Sequence, residues 1–252
     1  MRLLLINANT STAITEHLVA GTRRLVPADT EVVGVTARFG ARYVATRAAY
    51  AIAGHAAVDA FAEHADGADA VILACFGDPG LMALRELSKV PVIGMAEASC
   101  RLAAQGGSRF SIVTGGAGWP PMLREFVGLI GLGDQLASVR AVRPTGADIA
   151  ADPQRSLAIL ADECRAAAVE DMADVVILGG AGLIGIADMI AREVPVPLVD
   201  SLAATVGAAT DAIVRARENS PCKVSRQDNG VESVGLGTHL AALLESQTER
   251  PS

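Results

Sequence analysis

An α/β fold is predicted, built of two similar halves whose parallel sheets face a central cleft in a pseudo-twofold arrangement. Three observations predict it. Short β-branched runs alternate with longer Ala- and Leu-rich segments of helical spacing, the grammar of βαβ units. The run Ala68–Cys75, ADAVILAC, returns 105 residues later as Ala173–Gly180, ADVVILGG. Val90-Pro91-Val92-Ile93 is echoed by Val194-Pro195-Val196-Pro197 at nearly the same separation.

The first half is read as residues 1–105 and the second as 106–205, with 206–252 returning to complete the first. Leu3–Ile6 predicts a strand. Thr12–Leu25 predicts a helix, with Ile14, Leu18, Thr22 and Leu25 on one face at three- and four-residue spacing. Glu31–Val35 is a second strand, and Thr46–His64 a helix favoured more by alanine propensity than by an apolar stripe. Ala70–Ala74 is a continuous apolar run, as expected of a strand covered on both faces. Leu81–Leu87 follows Pro79-Gly80 as a short helix, and Pro91–Ile93 is the next strand. In the second half, Phe110–Val113, Leu136–Val142, Val175–Leu178 and Val196–Val199 predict strands. Pro120–Leu129 and Leu183–Arg192 predict helices. Asp152-Pro153 reads as an N-cap and first helical position for a helix to Met172. Ala203–Arg217 and His239–Gln247 complete the helices. The Gly-, Asn-, Asp- and Ser-rich stretch 219–237 reads as loop.

Composition narrows the function. Of 252 residues, 51% are hydrophobic and 19% charged, as in a well-ordered globular protein. A net charge of -7 with no basic cluster argues against a nucleic-acid partner. The chain starts on a strand-like segment without a cleavable leader and holds no apolar run long enough for a membrane span. A cytoplasmic protein without a membrane partner is expected. The cysteines at 75, 100, 164 and 222 form no CxxC, and the four histidines no HExxH, so no metal site is expected. The two lysines, Lys89 and Lys223, are poorly placed for a Schiff base, which disfavours pyridoxal chemistry. Gly180, Gly182 and Gly185 match GxGxxG spacing, with Asp200 twenty residues past Gly180. They lie late in the chain, so a dinucleotide site is disfavoured.

Chemistry is expected where strands end at the cleft. Asn7, Asn9, Thr10 and Ser11 follow the first strand and offer amides and hydroxyls for a carbonyl or carboxylate, or caps for the next helix. Cys75 ends the third strand, in ACFGDPG. It is either a buried core thiol or a thiolate favoured by nearby backbone N–H groups, able to shuttle a proton. Phe76 and Gly77 follow it, and Asp78 is assigned to loop structure. Thr114 and Gly115 stand at the corresponding end in the second half. Gly180, Ala181 and Gly182 form a glycine loop suited to an anion or carbonyl. Tyr43 and Trp119 are candidate pocket walls, while Cys100, Cys164 and Cys222 are read as structural or incidental.

These segments resemble the aspartate/glutamate/hydantoin racemase family. The likeness rests on NANTS at Asn7–Ser11, CFGDPGL at Cys75–Leu81, PVIG at Pro91–Gly94 with Glu97-Ala98, TGG at Thr114–Gly116 and LGGAG at Leu178–Gly182. It is nearest to hydantoin and allantoin racemases. The resemblance implies two α/β halves about a cleft and a cofactor-independent racemase or isomerase. The substrate would be a small hydantoin-like or amino-acid-derived molecule with a carbonyl or carboxylate. A compact cytoplasmic enzyme is, separately, compatible with homo-oligomerisation. Family racemases use two cysteines on opposite faces of the substrate carbon, and Cys75 matches the first. Gly180 stands where a Gly-Cys motif would bring the second, and a glycine cannot carry a proton. The resemblance therefore leaves a single-cysteine decarboxylase or tautomerase, or a non-catalytic binding protein, as alternatives. Arylmalonate decarboxylases, which the family also resembles, keep one cysteine, but in the second half.

Overall fold

The computed structural model describes residues 1–218 and 232–245. It contains two four-stranded parallel sheets of identical topology. In the first half β1 (Arg2–Asn7), β2 (Glu31–Thr36), β3 (Ala70–Leu73) and β4 (Val92–Gly94) lie in the order β2-β1-β3-β4. In the second, β5 (Phe110–Gly115), β6 (Leu136–Val142), β7 (Val175–Gly179) and β8 (Leu198–Asp200) lie in the order β6-β5-β7-β8. Leu4 pairs with both Val33 and Val71, and Thr114 with both Ala141 and Gly179. The two central strands of each sheet therefore end together. Residues 3–7 of β1, all of β3 and all of β5 are buried, as expected of strands with helices on both faces.

The helices are α1 (Thr12–Leu25), α2 (Arg47–His64), α3 (Leu81–Leu87), α4 (Met95–Ala103) and α5 (Trp119–Leu129). They continue with α6 (Gly146–Ala151), α7 (Pro153–Val169), α8 (Ile186–Ile190), α9 (Ser201–Glu218) and α10 (Thr238–Glu245). The expected face of α1 buries Ile14, Leu18 and Thr22, but Leu25 is half exposed, because Thr15 and Gly21 complete the buried stripe instead. Thr46 caps α2 by accepting from the Ala49 N–H, and Asp152 caps α7 by accepting from Arg155.

Three expected segments differ. Leu183–Arg192 is not one helix: a 3-10 turn over Ala181–Leu183, the short α8 and a second 3-10 turn over Ala191–Glu193 replace it. Gly185, at φ +78°, breaks the helical path. The last strand starts at Leu198 rather than Val196; Pro197 has no N–H to donate and enters only as an acceptor, from the Val176 N–H. The helix expected to reach Met172 stops at Val169, and Met172 takes φ +57°. Residues 219–231 of the expected loop, with Cys222, lie outside the described residues.

One hydrophobic core runs through the first half and across the contact between halves, including Leu5, Ile72 and Met95 from one side and Phe110, Leu123 and Ile177 from the other. A second core fills the far side of the second sheet, around Val113, Leu160 and Leu178. The C-terminal α9 packs on α1, α4 and β3, and α10 packs on α2. Among the described residues, no helix is long and apolar enough to cross a membrane.

Candidate active site

The ends of β1, β3, β5 and β7 converge on one cavity of about 50 Å³, room for a few waters. From the first half come Asn9, Tyr43 and Cys75-Phe76. From the second come Thr114-Gly115, Trp119 and Gly180–Gly182. Ten of the candidate residues are thus brought together. Ile14, Arg42, Val44, Gly146, Ala147 and Leu183 also line the cavity, and the sequence marks none of them as a site residue. Arg42 and Val44 sit beside Tyr43 in a loop without helical or strand periodicity, so only their adjacency to a candidate residue could have marked them.

Asn7, Thr10, Ser11 and Gly77 do not line the cavity. Asn7 is fully buried, and its amide donates to Asn9 Oδ1 (3.1 Å), the Ser11 carbonyl (3.1 Å) and Thr15 Oγ1 (3.0 Å). Its Oδ1 accepts from the Asn9 N–H at 3.2 Å. Asn7 therefore shapes the turn instead of meeting a ligand. Asn9 Oδ1 takes a second bond from the Ser11 N–H at 2.9 Å. Both donors fall on the oxygen, so the Asn9 NH₂ is left for the cavity. Thr10 is tied to the loop carrying Tyr43, its N–H donating to the Ala41 carbonyl at 3.1 Å. Gly77 lies beneath the Trp119 ring, and its carbonyl accepts from the Tyr50 hydroxyl at 2.7 Å.

The two walls are pinned to each other. The Tyr43 hydroxyl donates to the Gly115 carbonyl at 2.8 Å. A Cβ on Gly179 would fall 2.5 Å from the Phe76 ring, so the strand end bearing Gly180 rests on the residue after Cys75. Gly182 approaches the Gly146 backbone so closely that a Cβ would overlap its carbonyl oxygen. The Gly180–Gly182 loop thus depends on having no side chain at 182.

Cys75 is 6% exposed. Burial pushes its thiol up to about 12, and the nearby Asp78 carboxylate adds to the push. This corrects the expectation of a thiolate favoured by backbone N–H groups: burial dominates, and two of those groups are engaged elsewhere. The Asp78 N–H donates to the Cys75 carbonyl, and the Leu81 N–H to the Asp78 carbonyl. Asp78, at φ +54°, sends its carboxylate to α4 and accepts from the Ala96 and Glu97 N–H groups at 2.9 and 2.8 Å. It is the cap of α4, contributed from a loop eighteen residues earlier. Burial and the neighbouring Glu97 push Asp78 up to about 7, against the pull of those two N–H groups and of Arg85.

Cys100 and Cys164 are buried in helices away from the cavity. Asp200, the acidic partner required of a dinucleotide site, is spent on backbone. Its Oδ2 accepts from the Gly185 N–H and its Oδ1 from those of Leu202 and Ala203. It secures the glycine loop and the start of α9. Among the described residues, no group of three or more His, Cys, Asp or Glu side chains is placed to hold a metal ion.

Gly180 takes φ +147°, where L side chains are strained. A Cβ there would lie 3.2 Å from Leu183 Cδ1 and 3.9 Å from Thr114 Oγ1. Gly180→Cys is accordingly expected to lower stability by about 1–3 kcal/mol, read as a fall in the urea midpoint. An unchanged midpoint would show that this backbone relaxes freely.

Comparison with known proteins agrees with this architecture. Residues 3–209 match the model of the Asp/Glu/Hydantoin racemase family. A hydantoin racemase of Pseudomonas sp. (strain NS671) is 30% identical over 236 residues, 93% of this chain and 95% of its own. The crystal structure of an allantoin racemase from Pseudomonas fluorescens superposes with a TM-score of 0.83 at 31% identity, covering 100% of this chain and 98% of that one. Arylmalonate decarboxylase, at TM-score 0.59 and 19% identity over 84% of this chain and 92% of its own, shares the fold. The chain belongs to the Asp/Glu/Hydantoin racemase family and is an enzyme of the racemase/isomerase type.

Proposed function

We propose that the protein removes and returns the α-proton of a hydantoin-like substrate without a cofactor, and that Cys75 is the base. One observation carries this. Of the described residues lining the cavity, only Arg42, Tyr43 and Cys75 have ionisable side chains. Arg42 offers N–H donors and no acceptor lone pair. Burial raises Tyr43 above its ordinary value, and its hydroxyl is bound to Gly115. The thiol remains. Its sulfur takes the α-proton and leaves an enolate, whose oxygen needs donors in a water-poor setting. The Asn9 amide supplies one such donor. The similarity to hydantoin and allantoin racemases favours a five-membered ring with a carbonyl next to the reacting carbon.

The test is NMR in deuterated water on both enantiomers of 5-substituted hydantoins and of allantoin, with aspartate, glutamate and an arylmalonate alongside. Deuterium entering the α-position of a hydantoin or allantoin, with loss of optical purity, is the expected result. Silence across the panel from folded protein would sink the proposal in favour of a binding role, and carbon dioxide released from the malonate alone would favour decarboxylation. On the same substrates, Gly180→Cys is expected to raise the rate of inversion, provided the strained backbone seats the new thiol.

A further inference from the structure

Cys75 and Gly180 are equivalent positions in the two halves, 105 residues apart, and both line the same cavity. One wall therefore presents a thiol and the other nothing beyond a backbone. A side chain leaving Gly180 would head toward Leu183 and Thr114, its Cβ 3.9 Å from Thr114 Oγ1. Thr114 is 4% exposed and lines the cavity, and its hydroxyl finds no hydrogen-bond partner among the described residues. A hydroxyl that opens into a cavity is usually partnered by ordered water where the cavity is polar and large enough. The cavity of about 50 Å³ has room for a water, and the Thr114 hydroxyl and Asn9 amide on its wall are polar partners for one.

We infer that Thr114 is a positioning residue that seats a water on the Gly180 side, and that this water carries the proton on the face opposite Cys75. The inference rests on the proposed role of Cys75. The Cys75 thiolate takes the α-proton from one face: the C–H bond breaks, an S–H bond forms, and the electron pair passes into the enolate. The seated water then gives a proton to the other face, forming the new C–H bond and leaving hydroxide, which accepts a hydrogen bond from the Thr114 hydroxyl. Hydroxide and the thiol proton recombine through solvent, which restores the starting enzyme and leaves an inverted substrate. Return of the proton by Cys75 itself gives exchange with retained configuration. Two rates thus report on the two faces.

The experiment follows both rates on single enantiomers of 5-benzylhydantoin in deuterated water, separating retained and inverted deuterated product by chiral chromatography with mass detection. Thr114→Val is expected to lower the ratio of inversion to retained-configuration exchange by about 100-fold, and Thr114→Ser to restore it. Thr114→Ala replaces the valine variant if that one fails to fold. An unchanged ratio in a folded variant overturns the inference, as does a wild-type enzyme that exchanges without inverting. Cys75→Ala tests the foundation separately. Retained-configuration exchange surviving in that variant would overturn the role of Cys75 whatever Thr114 does.

Discussion

Cys75→Ala is expected to slow α-proton exchange by about 10²–10⁴-fold, the usual worth of a positioned acid or base, while leaving the protein folded. No other cavity-lining group among the described residues can take over. Arg42 has no acceptor lone pair, and Tyr43 holds its proton against Gly115. The fold should tolerate the change, since one sulfur is removed from a wall that already borders a cavity, a loss of about 1 kcal/mol by the scale for a buried methylene. NMR exchange rates and a urea unfolding curve on the same sample separate the two quantities. Cys75→Ser should be nearly as inactive, because a hydroxyl fills nearly the same space but is a far weaker acid. An active serine variant would show that positioning, not proton transfer, is what this side chain provides.

The second large effect is on pH. The active form of Cys75 is the thiolate, and burial pushes the thiol up to about 12. Below that value the thiolate fraction grows tenfold per pH unit, so kcat/KM should climb about 10³-fold between pH 7 and pH 10. An N3-methylated hydantoin keeps the substrate's own acidic N–H from titrating in that window, and Cys75→Ala supplies the uncatalysed background. A profile flat above pH 7 would refute the account of the thiol as held neutral by burial. Asp78 provides an internal control. Its charge is the second cause of the raised thiol, so Asp78→Asn should move the rising limb toward lower pH. Asn retains an oxygen to accept one of the two N–H groups of α4, which limits the loss of the cap.

Much of this arrangement was legible in one dimension. The strand sequence AVIL running into CFGDPG announces a buried parallel strand ending in a thiol, and its echo at Val175–Gly180 announces the second half. What stayed hidden depends on contacts remote in the chain. Asn7 and Asn9 are the same residue type two positions apart, yet one faces inward to Thr15 and the other faces the cavity. Asp78 reads as a loop residue because α4, the helix it caps, starts seventeen residues later. The short α6 was missed although Thr145 and Asp148 form a capping box at its start. Six residues offered too little periodicity, and its place beside Gly182 is set by a backbone approach across the loop. The acidity of Cys75 was misjudged for a similar reason. Sequence shows the helix start beside it, but not how completely the surrounding chain shuts out water.

The return of the chain to its first half has a consequence for synthesis. The buried faces of β3 and α4 are covered in part by α9, whose Leu202, Val206, Ala209 and Ile213 are all buried. Those residues leave the ribosome long after the strands they cover have been made. The strands of the second half, in contrast, are complete by Asp200. Residues 1–105 must therefore wait, with apolar surface uncovered, for a helix encoded about a hundred residues downstream. For a nascent chain this is an interval of chaperone dependence, and a stop codon just before Ser201 would make it permanent.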